Sequence, residues 1–211
     1  WYEIQDAETV IRGTLRQPGF CPSWDLLVQT GLTDNNNKLD LQGMRLCDFT
    51  EVFLPEETGQ EHRSLTARWA ELCGLSPEHE DFQRLQWLGL TSDEPVPIEE
   101  GTPAEVLRAL LVQKMSMTEG DRDMILMVHY FDFEINGETR TRKSYLTLEG
   151  KNQRKTAMAK TVGLPLGISA EMLMKGQFDI RGVHLPMKSD IYEPVLEELK
   201  RHGIIFREID Y

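Results

Sequence analysis

Residues 123–148 read DMILMVHYFDFEINGETRTRKSYLTL. Ile125, Met127, Phe131, Phe133 and Ile135 fall on alternate positions, which is the period of a β-strand with one apolar face. Asn136-Gly137 follows, a pair that accepts the positive φ angles a tight hairpin turn requires. Residues 138–148 then return as the partner strand. An antiparallel hairpin is the first element the chain commits to. On its C-terminal side a helical pattern opens near Thr156 and runs to Lys175, where Gly176 stops it. Pro165 lies inside that pattern, so the helix either kinks there or begins nearby. A last helix spans 190–202, acidic at its start (Asp190, Glu193, Glu197, Glu198) and basic at its end (Lys200, Arg201, His202), as the helix dipole favours. Gly203 closes it, and Ile204-Ile205-Phe206 reads as a terminal strand.

N-terminal to the hairpin the period is helical. Ser64 opens a helix with Leu65, Trp69 and Leu72 on one face. Ser76-Pro77-Glu78-His79 opens a second, lined by Phe82, Leu85 and Leu88. Thr102 opens a third, with Glu105 three residues on as a capping box. The loop EPVPIEEG separates the last two. Further back, DAETVIRGTLR over 6–16 reads as a strand because Thr9, Val10 and Ile11 are β-branched in succession. Residues 23–30 read as a helix with Ser23 as its N-cap, and TDNNNK over 33–38 as a polar loop. Strands near residue 10, at 123–148 and at 204–209, with helices segregated from them, make an α+β fold. The expected sheet is mixed and partly antiparallel, with helices on one side. The expected partition is an α+β domain from 1–60 and 117–211, interrupted by a small helical insert over 61–116.

The chain has 211 residues and a net charge of −12. Such a balance argues against a nucleic-acid partner, because phosphates would repel it unless it held a concentrated basic face. No apolar run approaches the ~18 residues that span a bilayer, so no membrane partner is expected. Three cysteines, Cys21, Cys47 and Cys73, are too few and too odd for a disulfide framework. Free thiols and a cytoplasmic home are the expectation. The opening Trp1-Tyr2-Glu3-Ile4 is neither a start methionine nor a targeting segment, and reads as a piece of a longer protein.

Chemistry-bearing positions are few. Residues 138–160 hold seven Lys or Arg against Glu138 and Glu149, either an exposed hairpin with solvated charges or a field focused on an anion. Arg12 and Arg16 flank Thr14 on one face of the expected first strand; two guanidinium forks around a hydroxyl suit a carboxylate or phosphate, and an exposed strand edge is the plain alternative. The acidic stretch 78–105 reads as a solvated helical face. Small residues dominate Ala157–Gly176, which suits close helix packing or close approach to a ligand. His62, His79, His129, His184 and His202 have no ligand partner at metal spacing, so no metal is expected. No GxGxxG dinucleotide fingerprint is present, and no residue is assigned as catalytic.

The segment TAMAKTVGLPLGISAEMLMKG, then RGVHLP, then IYEPVLEELKRHGIIFRE, resembles the C-terminal end of the glutamate-forming saccharopine dehydrogenases. The opening IRGTLRQPGF resembles the same family's RGTLRY-G-[FW] element, with GLTD after it. Gln17 stands where the family usually has an aromatic residue. The resemblance brackets residues 9 to about 208 and is loose over 35–122.

It implies a Rossmann domain absent from this chain. It also implies a second α+β domain like the C-terminal domain of glyceraldehyde-3-phosphate dehydrogenase, with a helical insertion. That second domain would bind saccharopine, or a similar small amino-dicarboxylate, and form a homodimer. The implied reaction interconverts saccharopine with L-glutamate and 2-aminoadipate 6-semialdehyde, using NAD or NADP in the full-length parent; this fragment alone would bind no cofactor and be inactive. Three carboxylates on the substrate make Arg12, Thr14 and Arg16 expected anchors, with Lys160 and Thr161 as further substrate contacts. The alternatives are a carboxyspermidine-type substrate on the same architecture, or a non-catalytic dimerisation module.

Overall fold

A computed structural model describes residues 4–56 and 63–211. The chain forms two compact units, Thr9–Ser116 and a second made of Met117–Tyr211 with residues 4–8. Each is described by itself.

The first unit is helical. It comprises α1 (Phe20–Thr30), α2 (Leu46–Glu51), α3 (Leu65–Leu72), α4 (Glu80–Trp87) and α5 (Pro103–Met115). Two short strands, β1 (Leu39–Asp40) and β2 (Glu100–Gly101), pair antiparallel. Trp69 and Phe82 pack edge to face, ring centroids 5.3 Å apart, in a core that also buries Phe49, Leu32, Leu46 and Leu110. The indole N–H of Trp69 donates to Thr30 Oγ1 at 2.9 Å, and Thr30 donates to the Leu26 carbonyl at 2.7 Å. A buried tryptophan thus keeps its one polar atom satisfied, as burial demands. Ser64 caps α3 and Thr102 caps α5, with Glu105 returning the bond to the Thr102 N–H at 2.8 Å. Asp34 accepts bonds from Asn36 and Asn37, which closes the polar loop and holds its carboxyl below the usual range, the Asn36 backbone N–H being the main cause.

Several expectations are corrected here. Residues 6–16 form no strand; among the described residues they pair with nothing, and Ile11 is 87% exposed. A β-branched run favours a strand only where a neighbouring ladder receives its N–H and C=O groups. Residues 9–60, expected in the α+β domain, supply Leu26, Leu27, Leu41 and Phe49 to the helical core instead. Helix α1 begins at Phe20, not at Ser23, because the Ser23 hydroxyl lies inside the helix, donating to the Gly19 carbonyl at 2.7 Å with Asp81 Oδ1 3.1 Å away as the alternative acceptor. Helix α4 begins after His79, whose Nδ1 accepts the Asp81 N–H, leaving Pro77 in a turn.

The second unit is the α+β one. Its strands β3 (Met124–Ile135), β4 (Glu138–Glu149) and β5 (Arg207–Asp210) form one sheet in the order β3-β4-β5. All the pairings are antiparallel, so the mixed sheet expected is corrected. Asn136 (φ 56) and Gly137 (φ 79) make the hairpin turn. The terminal ladder starts at Arg207, because Ile204 turns inward to the core. Helices α6 (Ala157–Met174) and α7 (Ser189–Arg201) pack on one face of the sheet at β4. Ile191, Val195 and Leu199 of α7 and Ile168 of α6 pack with Leu146 of β4. No described helix is long and apolar enough to cross a membrane.

Asp123, just before β3, ties the hairpin to α6. Its carboxylate accepts the first helical N–H groups, Ala157 at 2.6 Å and Met158 at 2.8 Å, while Thr156 accepts the Ala159 N–H at 2.9 Å. A side chain at Gly150 would collide with Asp123 Oδ1 and come within 2.8 Å of the Ala157 nitrogen, so only glycine fits. The Met158 N–H, then the Ala157 N–H, hold the Asp123 carboxyl below its usual pKa.

Two predictions follow from this packing. Phe82→Ala lowers unfolding free energy by about 3–5 kcal/mol, read from denaturant titration; a loss under about 1 kcal/mol would show that the helical core does not depend on the Trp69–Phe82 contact. The second concerns Asp123. Because its folded-state pKa is depressed, its stabilisation is complete above the unfolded pKa of about 4 and disappears as pH falls through the lower folded value. Asp123→Ala is expected to melt below wild type at pH 7, with the gap closing towards pH 2. A gap independent of pH would mean that the carboxylate charge is not what holds α6.

Candidate functional site

The candidate residues divide between the units. Arg12, Thr14 and Arg16 lie in the extended segment that precedes α1, all exposed. Without a ladder, nothing in the backbone holds them to a common face as the strand reading required. Arg16 Nη1 donates to the Leu15 carbonyl at 2.9 Å, and its guanidinium sits 5.4 Å from the centre of the Phe20 ring, a cation–π distance. Neither Arg12 nor Thr14 has a side-chain hydrogen bond among the described residues, so both remain open to a ligand. Two of the three are unengaged, and the third is held only by its own neighbours.

Lys160 and Thr161 lie on the first turns of α6, which the Asp123 anchor orients. Both are half-buried. The Lys160 Nζ has no ion pair among the described residues and reaches towards Gly203. The Thr161 hydroxyl donates to the Ala157 carbonyl at 3.0 Å and contacts that of Met158 at 3.3 Å. Its proton is held by its own helix, which leaves only its lone pairs for a ligand N–H.

The basic stretch 138–160 also separates into used and unused charge. Arg142 is bidentate to Asp210 at 2.6 and 2.8 Å, which raises the pKa of Arg142 and lowers that of Asp210. Arg140 pairs with Glu138, and Lys143 lies over the rings of Tyr130 and Tyr145. The loop between β4 and α6 is different. Lys151, Arg154 and Lys155 are exposed there and form no ion pair among the described residues. Asn152 shapes the loop by accepting the N–H groups of Arg154 and Lys155 at 3.0 and 2.9 Å. Three cations thus project beside the start of α6, one turn before Lys160. Sequence reading recorded their charge but not the loop that gathers them; Asn152, two residues after Gly150, was the available turn signal. The anchoring role of Asp123 carried no local signal, since its helix begins 34 residues later.

Metal chemistry has little to build on. Among the described residues, no three His, Cys, Asp or Glu side chains are grouped so as to hold an ion. His62 lies outside the described residues. Cys21, Cys47 and Cys73 are free thiols, and burial pushes the Cys73 thiol up. No described strand–turn–helix unit with a glycine-rich turn offers a dinucleotide cradle, since the sheet is wholly antiparallel.

The family model described as "Saccharopine dehydrogenase C-terminal domain" matches residues 1–204. The chain is 32% identical to the saccharopine dehydrogenase [NADP(+), L-glutamate-forming] of Saccharomyces cerevisiae, over 98% of this chain and 47% of that protein. Its counterpart in Schizosaccharomyces pombe is 30% identical over the same shares. The mitochondrial alpha-aminoadipic semialdehyde synthase of Bos taurus is 31% identical over 97% of this chain and 22% of that protein. Among solved structures, the apo histidine-tagged saccharopine dehydrogenase (L-Glu forming) from Saccharomyces cerevisiae superposes with a TM-score of 0.81 at 28% identity, over 99% of this chain and 48% of that chain. The chain spans about half the length of the saccharopine dehydrogenases it matches.

Proposed function

The chain belongs to the saccharopine dehydrogenase C-terminal domain family, and from that premise we propose that it is the substrate-binding and dimerisation domain of a saccharopine dehydrogenase. The proposed whole-protein activity interconverts saccharopine with L-glutamate and 2-aminoadipate 6-semialdehyde by nicotinamide-dependent hydride transfer, in lysine metabolism. The names of the fungal relatives support the reaction and favour NADP over NAD. The described residues supply no dinucleotide cradle, so no step of the hydride chemistry is assigned to them, and the excised domain is expected to be inactive and cofactor-free. The likeness to the C-terminal domain of glyceraldehyde-3-phosphate dehydrogenase belongs to the same proposal.

The observation that carries the reading is a set of cations without anionic partners in an acidic chain. Arg12 and the cluster Lys151, Arg154, Lys155 and Lys160 have no ion pair among the described residues, while Arg140 and Arg142 are paired. Saccharopine carries three carboxylates, and unpaired guanidinium and ammonium groups are what such a substrate needs. Arg12 and Arg16 are proposed as forks for a carboxylate, with Thr14 between them as a hydroxyl donor. Lys160 is proposed as a point charge for a carboxylate, and Thr161 as an acceptor towards a substrate N–H. Their role is to position the substrate.

The homodimer is proposed to form on the sheet face that α6 and α7 leave uncovered. By register that face carries Met124, Leu126 and Tyr130 of β3 and Ile209 of β5, all exposed. A second copy is the occupant proposed for this face, on which Lys143 stands between Tyr130 and Ile209. A cytoplasmic home is the matching proposal for three free thiols.

A spectrophotometric assay of the full-length protein, following NADP and NAD reduction with saccharopine, tests the activity. Silence with both cofactors from a folded protein would move the substrate to another amino-dicarboxylate. Arg16→Ala is expected to raise KM for saccharopine about tenfold, the loss of one charge-assisted contact, and to leave cofactor affinity alone. An unchanged KM removes Arg16 from the site. For the dimer, Leu126→Lys is expected to shift the sedimenting species from dimer to monomer. A monomeric wild type, or a variant that stays dimeric, would sink this assignment of the interface.

A further inference from the structure

A groove of about 1040 Å³ opens in the α+β unit between α7 and the sheet. Its floor includes Phe131 of β3 and Phe206, and His129 stacks on the Phe131 ring with centroids 6.0 Å apart and leans on Phe206 at 5.9 Å. Phe131 is 49% exposed, a large apolar ring left facing the opening. Its walls carry three carboxylates and one ammonium: Glu193 and Glu197 stand on one face of α7, one turn apart, with Lys200 beyond them, and Glu208 stands on β5.

Two features separate this groove from an ordinary solvated acidic surface. Ser144 lines it, is only 6% exposed, and has no side-chain hydrogen-bond partner among the described residues. Its oxygen is not sealed in, since no fully buried side-chain N or O among the described residues lacks a partner, and it lines the groove with its hydrogen-bonding capacity unused by the protein. The carboxylates, in turn, are loosely held. Glu193 has no ion pair among the described residues. Glu197 meets Lys200 at 3.1 Å and Glu208 meets Arg142 at 3.4 Å, with every one of these side chains at least 40% exposed, so the pairs are easily exchanged.

We propose that this groove is a binding site for a small alkyl diamine, a ligand with primary ammonium groups on an apolar stem. The ammonium groups would meet the carboxylates of α7 and β5, one N–H would reach the Ser144 hydroxyl, and the alkyl stem would lie on the Phe131 and Phe206 rings. Aromatic faces and carboxylates together select a cation with an apolar body over either a bare metal ion or a neutral chain. This goes beyond the reading of the cationic residues as carboxylate anchors and fails or stands without it.

The test is calorimetric titration of the full-length protein with 1,5-diaminopentane, with 1,5-pentanediol as the neutral isostere. Saturable diamine binding is expected, with no competition from the diol. Glu193→Gln with Glu197→Gln is expected to weaken it about tenfold, as loss of hydrogen bonds to a charged group would. Ser144→Ala is expected to weaken it about threefold, within the range of one hydrogen bond. Glu78→Gln with Glu99→Gln, on the acidic surface of the other unit, should leave it unchanged. Absence of saturable binding overturns the proposal. So does equal weakening by the two glutamine pairs, which would mean that the diamine follows only the net charge, or equal binding of the diol. Glutamine substitutions on the exposed face of α7 leave the core intact, so they decide the matter even if Ser144→Ala does not fold.

Discussion

The carboxylate of Asp123 holds together the part of the α+β unit that carries Lys160 and Thr161. It stands at the head of β3 and accepts the first two N–H groups of α6. Those groups have no partner within a helix, and an anion there meets both the hydrogen-bond need and the positive end of the dipole. The same junction leaves room at residue 150 for a glycine alone. Strand, loop and helix are therefore locked to one another at a single point. The start of α6 cannot swing away without leaving donors unpaired, and Lys160 and Thr161 take their positions from it. The basic loop from Lys151 to Lys155 is closed between that anchor and the end of β4.

That occupancy also decides what the start of α6 can do. Its leading N–H groups are already spent on Asp123 and Thr156. An anion arriving there meets side-chain cations rather than backbone donors. Recognition by flexible lysine and arginine heads depends on charge and salt more than on fixed geometry. In the helical unit the balance differs. Its core is set by large rings, Trp69 against Phe82, and by one buried indole N–H satisfied by Thr30. Rigidity there comes from packing, and the arginines of the preceding segment lie outside it.

Local signals were strong wherever the physics is local. The Asn136-Gly137 turn, the Ser64 and Thr102 caps and the helical stop at Gly176 each concern a few neighbouring residues, and each lies where the sequence indicates. The family resemblance, carried by both ends of the chain, extends across nearly all of it. Misreadings arose where a distant partner decides. Residues 6–16 have strand-forming side chains but no ladder among the described residues. Residues 20–54, polar in places and short in period, fold with helices more than 30 positions away through Thr30 and Trp69. The candidate site was legible as a list of cations, not as a division between paired and unpaired ones.

By itself, the sequence determined the hairpin, the helix starts at Ser64, Thr102 and Thr156, the stop at Gly176, the acidic balance and the family. Each of these follows from spacing, turn chemistry or residue identity over short range. Tertiary structure alone decided which charges remain available, that Asp123 anchors a helix 34 residues away, and that Ser144 is buried facing a groove. The reason is physical: whether a charge is neutralised or a hydroxyl satisfied depends on groups brought near by folding, and those groups are not its neighbours in the chain.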